Sequence, residues 1–174
     1  MARLPYANLD DADKNPLVQR IVAERGQVLH LYQMLIHSPP LAEGWLGYFT
    51  AVRQKLALSG ALRELIIMRV AIVNGAPYEA EQHAPIALKE GVTQTQLDAL
   101  AEWPGAVCYD PTQRAVLRMT DAMTRDIHFA PDIVADVRAL LGERGTVEVA
   151  ATIAAYNMVS RFLEALHIDA QDAR

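Results

Sequence analysis

The sequence predicts an all-α protein, a bundle of about eight helices, and three observations carry that reading. Apolar residues fill 52% of the 174 positions but aromatic residues only 6%. A core built from alanine and aliphatic side chains suits closely packed helices better than a strand-rich sandwich. Helix starts and stops recur from end to end, and no run alternates valine, isoleucine and threonine with polar residues as a half-buried strand requires.

The elements follow in order. Asn15-Pro16 reads as an N-cap followed by proline at the first helical position, where the missing N–H costs nothing. Behind it Leu17, Ile21, Val28, Leu31, Tyr32 and Leu35 recur at helical spacing, with Gly26 as a break point. Ser38-Pro39-Pro40 opens a second helix that runs to about Leu56, and Ser59-Gly60 a third that ends at Asn74-Gly75. Pro77 begins a fourth, closed by Gly91. Thr93-x-x-Gln96 is a capping box for a short fifth helix, and Asp110-Pro111-x-Gln113 caps a sixth. Ala130-Pro131 opens a seventh; Gly142 and Gly145 separate it from a last helix bearing Val149, Ile153, Tyr156, Phe162 and Leu166.

The length suits one domain over residues 1–174, with 1–14 as an extended N-terminal arm. Formal charge is 16 − 21 = −5 with both signs scattered, so no basic stripe offers itself to nucleic acid. The single cysteine, Cys108, allows no intramolecular disulfide. The N-terminus lacks the apolar core of a signal peptide. The apolar run from Leu65 to Val73 is interrupted by Arg69 and too short for a bilayer. These features read as a soluble, cytoplasmic protein with no membrane partner, and the apolar excess leaves surface for self-association.

The chemistry-bearing stretch runs from Arg63 to His83. Glu79 and His83 are four apart on a proline-started helix, so they share a face. Glu64 lies on the preceding helix among Leu62, Leu65, Ile66 and Ile67, and a hairpin at Asn74-Gly75 brings it towards the same spot. A carboxyl in apolar surroundings holds its proton more tightly and a histidine titrates near neutrality. Together they form a candidate proton relay, with Tyr78 as a further donor. The same residues also admit structural readings: Glu64 as a buried acid satisfied by Arg63 or Arg69, Tyr78 as a core aromatic, and Glu81 as a solvated residue. A zinc site needs three or four converging ligands. Glu64, Glu79 and His83 supply three at most, and His30 and His37 lie elsewhere, so no metal is expected.

At these residues the chain becomes recognisable. Arg63-Glu64-Leu65-Ile66-Ile67-Met68-Arg69, Asn74-Gly75, Tyr78-Glu79-x-x-x-His83 and Pro85-x-Ala87-x-x-x-Gly91 closely resemble the signature of the carboxymuconolactone decarboxylase family. His37-Ser38-Pro39, Asp110-Pro111 and Tyr156-Asn157-Met158 agree with it, so the resemblance runs from about residue 30 to the end. It implies the orthogonal helical bundle of the alkyl hydroperoxidase D-like proteins, assembled as a homo-trimer or hexamer with the site near a subunit interface. In the peroxidase branch the matching segment carries a Cys-x-x-Cys pair; carried over, the cysteines fall on Ala76 and Glu79, the glutamate on Glu64 and the histidine on His83. Thiolate attack and resolution are lost with the sulfurs. The Tyr-Glu-x-x-x-His form is more similar to the decarboxylase-type branch, which implies acid–base chemistry, without a cofactor, on a small organic acid or lactone. In that reading His83, oriented by Glu79 or Glu64, moves a proton while Tyr78 or a backbone N–H holds developing charge, and Arg69 or Arg63 binds a substrate carboxylate. An antioxidant peroxidase and a non-catalytic oligomeric binding subunit are the alternatives.

Overall fold

The structure is a computed structural model that describes residues 1–9 and 15–172. Residues 10–14 of the expected N-terminal arm lie outside the described residues. Those described form eight α-helices and one 3₁₀ segment, with no strand among them. The helices are α1 (Pro16–Arg25), α2 (His30–Leu35), α3 (Pro39–Gln54), α4 (Gly60–Asn74), α5 (Pro77–Lys89), α6 (Gln94–Ala99), α7 (Pro111–Arg125) and α8 (Pro131–Leu166); the 3₁₀ segment, Leu100–Gly105, follows α6.

Four helix starts are chemically specified by a side chain that precedes them. The Asn15 side chain accepts from the backbone N–H of Leu17 and Val18, and Ser59 does the same for Leu62. Thr93/Gln96 and Asp110/Gln113 both close as reciprocal capping boxes. Gly75 (φ 62, ψ 42) ends α4 in a left-handed conformation that a side chain disfavours, and its N–H returns to the last turn.

Two expectations are refined. The periodic stretch after Pro16 is two helices, because Gly26 takes φ 81 and terminates α1. At the other end Gly142 (φ 68, ψ −175) leaves helical geometry and separates two helical stretches within α8, as expected, while Gly145 lies inside the second. The 3₁₀ segment carrying buried Trp103 is an element that periodicity alone does not show.

The chain forms two compact units, Met1–Lys55 with Phe162–Arg174, and Leu56–Arg161. In the first, Ile21, Leu35 and Leu46 are fully buried and Trp45 stacks on Phe49 at 5.0 Å. Its His30 lies under the Tyr6 ring at 4.6 Å and bonds through Nδ1 to the Asp169 carbonyl. His37 bonds to the Pro5 carbonyl, so each of these histidines is committed to backbone. In the second unit α4 is the central element, packed between α5 and α7. Leu65, Ile66, Ile67 and Val70 on α4 are fully buried, as are Leu100, Leu117, Val149 and Ile153 around them. Burial on nearly every side of α4 explains why it presents no polar face.

Candidate functional site

The α4–α5 hairpin places Glu64 and His83 together. His83 Nδ1 lies 2.7 Å from Glu64 Oε2, and the Arg63 Nε donates to Glu64 Oε1 at 3.1 Å. Both carboxylate oxygens are thus occupied on a residue with no exposed surface. Burial alone raises the Glu64 pKa, but the hydrogen bonds and charges of His83 and Arg63 outweigh it, and the group sits below the usual carboxylate range. Arg63 is in turn shared with Glu90 at 3.4 Å. On its other side the His83 ring meets Tyr156 of α8 edge-on, with centroids 5.2 Å apart.

Glu79 has the opposite environment. It lies one helical turn before His83 and is buried, and its Oε2 is 2.5 Å from the Ser160 hydroxyl. No cation faces it in a hydrogen bond, and Oε1 has no hydrogen-bond partner. Burial outweighs the Ser160 bond and pushes its pKa up to about 8. The first turn of a helix favours an ionised acid, and here desolvation wins. The two buried carboxyls are therefore shifted in opposite directions, Glu64 bonded to His83 and Glu79 one helical turn before it.

The other expected site residues divide. Tyr78 is buried beside Glu79 in sequence. Arg63 is in the group, but as the partner of Glu64 and Glu90. Arg69 is not brought to it. Its guanidinium forms a two-point pair with Asp121, at 2.5 and 2.9 Å, and donates to the carbonyls of Leu100 and Ala101. Asp121 also accepts from Trp103 Nε1 and Arg125, so this charge is spent on tying α4, α7 and the 3₁₀ segment together. Ala76, nearly fully buried, is the N-cap of α5, and Cys108 packs on a cluster that contains Leu65, Met68, Leu100, Trp103 and Leu117.

Sequence reasoning missed the contribution of α8. Val149, Ile153, Tyr156, Ser160 and Leu163 form one buried stripe at helical spacing. A serine in an otherwise apolar and aromatic stripe was the available signal for Ser160.

Comparison with solved structures gives the fold. An uncharacterized peroxidase-related protein with an alkylhydroperoxidase AhpD core, from Ralstonia eutropha JMP134, matches 98% of this chain and 93% of its own at a TM-score of 0.83 and 20% identity. A variant of the debrominase Bmp8 in complex with 2,3,4-tribromopyrrole matches 98% and 94% at 0.83 and 19% identity. An uncharacterized peroxidase-related protein from Silicibacter sp. TM1040 matches 96% and 89% at 0.81 and 19%. No curated protein sequence matches significantly. The architecture is therefore the AhpD-like helical fold. The model of the carboxymuconolactone decarboxylase family matches residues 39–122, the segment that holds Glu64, Glu79 and His83. Over that segment the chain is similar to the carboxymuconolactone decarboxylase family, in agreement with the resemblance carried by its residues.

Proposed function

We propose that this protein is an enzyme that performs acid–base chemistry, without a cofactor, on a small organic acid or lactone: decarboxylation, lactone hydrolysis or isomerisation. The observation that carries the proposal is the buried Glu64–His83 hydrogen bond one helical turn from a second buried carboxyl, Glu79, with the first pKa pushed down and the second up to about 8. Environments that push two titratable groups apart separate the roles of base and acid. His83, held by Glu64, takes a proton from carbon next to a carbonyl, and Glu79 gives one to the carbonyl oxygen. The product is an enol, and the site is left with the proton count it began with. Returning the proton to another carbon isomerises the substrate. When the bond broken is that to a carboxylate, the electron pair left by departing carbon dioxide is neutralised in the same way.

The names of the solved relatives favour a second reading, a peroxidase-related activity. Against it stand Ala76 and Glu79 at the positions where the resemblance puts sulfur. One experiment separates the two. Keto acids and lactone acids are incubated with the protein in deuterated water, and proton exchange, ring opening and carbon dioxide release are followed by NMR. Turnover abolished in Glu64→Gln supports acid–base chemistry. Turnover of an organic hydroperoxide with a dithiol, and none of the acids, overturns it.

A further inference from the structure

We propose that Arg161 anchors the carboxylate of the substrate on which Glu64, His83 and Glu79 act, so that the enzyme selects acids whose carboxylate stands about one helical turn from the reacting carbonyl. The inference rests on the acid–base reading above and adds to it a binding residue and a constraint on the substrate.

Three residues of α8 meet the α4–α5 hairpin, and one of them holds a fourth, Arg161. Tyr156 faces the His83 ring and Ser160 bonds Glu79. Asn157 accepts from Asn74, at the end of α4, through Oδ1 at 3.1 Å. The same oxygen takes Nη1 of Arg161 at 2.6 Å, and the Asn157 carbonyl takes it at 3.2 Å. Asn157 is itself buried and fixed, because its Nδ2 donates to Thr124 and to the Ile153 carbonyl. A buried amide therefore holds an exposed guanidinium in place, and a held cation loses less freedom on binding an anion than a mobile one.

Charge accounting in this region points to the same residue. Arg63 is matched by Glu64 and Glu90, and Arg69 by Asp121. Arg161 has no carboxylate partner among the described residues. A substrate carboxylate drawn to the interior would meet ionised Glu64, with no unmatched cation to offset it. At Arg161 it meets a planar donor set suited to two-point recognition. Asn157 and Ser160, which hold the cation and the acid, are three apart on the helix, so their side chains start roughly 5–6 Å from each other. The side chains that hold the cation and the acid thus leave α8 within one turn of each other, which favours a short carbon chain between carboxylate and reacting carbonyl.

The probe is 4-oxopentanoate, with its neutral amide as control, tested on the wild type, Arg161→Gln and Arg161→Lys. Binding is measured by NMR titration, and enolisation by deuterium uptake next to the ketone. The expected result is that Arg161→Gln weakens binding of the acid about 10–100-fold, leaves the amide unchanged, and raises KM rather than lowering kcat. Arg161→Lys should recover part of the affinity. Equal binding of the acid by wild type and Arg161→Gln overturns the proposal, as does equal weakening of acid and amide, or failure of the wild type to bind the acid. Binding of the acid that depends on Arg161 without any deuterium uptake supports the anchor and removes the acid–base reading instead. Uptake that ignores Arg161 does the reverse.

Discussion

Ser160 Oγ lies 2.5 Å from Glu79 Oε2, so the second carboxyl of the site is met by an alcohol from α8 and not by a cation. A hydroxyl can serve a protonated acid as readily as an ionised one. It offers no charge to draw the proton off, which is why burial decides the state of Glu79 and lifts it to about 8.

That pKa fixes a pH dependence. The folded chain keeps a proton on Glu79 where the unfolded chain, near 4.5, has released it. Stability from this group is complete below about 4.5 and declines as pH rises towards about 8. Glu79→Gln keeps the shape and cannot ionise. Its melting temperature should match the wild type at pH 4 and exceed it at pH 9, by about 2–4 °C for each kcal/mol recovered. Differential scanning fluorimetry across pH reads this directly, and parallel curves would show that Glu79 does not titrate in that window.

Glu64 has the opposite sign. Its folded pKa is depressed, so its contribution is present above the ordinary value of 4.5 and is lost as pH falls through the folded value. Glu64→Gln should flatten the acid limb of the stability curve and lower turnover about 10²–10⁴-fold. Because both partners are buried, truncating His83 to alanine leaves a carboxylate supported by Arg63 alone. A cost of about 3–5 kcal/mol is expected. His83→Gln is the better kinetic variant, and urea unfolding beside steady-state rates separates the two effects.

Arg69 should behave as a structural residue. Arg69→Met leaves Asp121 with only Trp103 and Arg125. It should destabilise the protein by about 3–5 kcal/mol while the activity per folded molecule stays unchanged. A rise in KM for acids with stability intact would instead return Arg69 to substrate binding.

Sulfur provides a separate check. Hydroperoxide consumption with a dithiol reductant should be no greater with wild type than with Cys108→Ser, because Cys108 packs on the Leu65–Leu117 cluster and not beside a second thiol. Consumption abolished by that substitution would make the peroxidase reading primary.

The fold was legible because its punctuation is local. Asn15-Pro16, Thr93/Gln96 and Asp110/Gln113 act on their own first turns, and all three caps form as the sequence implies. The pairing of Glu64 with His83 was legible because Gly75 folds the hairpin between them. Arg69 was harder to place. Its partners, Asp121 and the carbonyls of Leu100 and Ala101, are distant in sequence and leave no periodic trace. Nor did spacing distinguish the two glutamates, since the difference lies in what meets each: Glu64 is bonded by His83 and Arg63 of its own hairpin, and Glu79 only by an alcohol from α8.

The two capping boxes, finally, are not independent. Gln96 accepts from the backbone of Thr93 while its amide nitrogen donates to Gln113 Oε1 at 3.0 Å, and Gln113 is the third residue of the α7 box. The same nitrogen holds the Cys108 carbonyl, and the Gln96 carbonyl takes the Tyr109 hydroxyl. One side chain thus clamps the beginnings of two helices and the loop that joins them. Fraying at α6 should therefore loosen α7 as well, and substitutions at Gln96 and Gln113 should cost less together than the sum of their separate penalties.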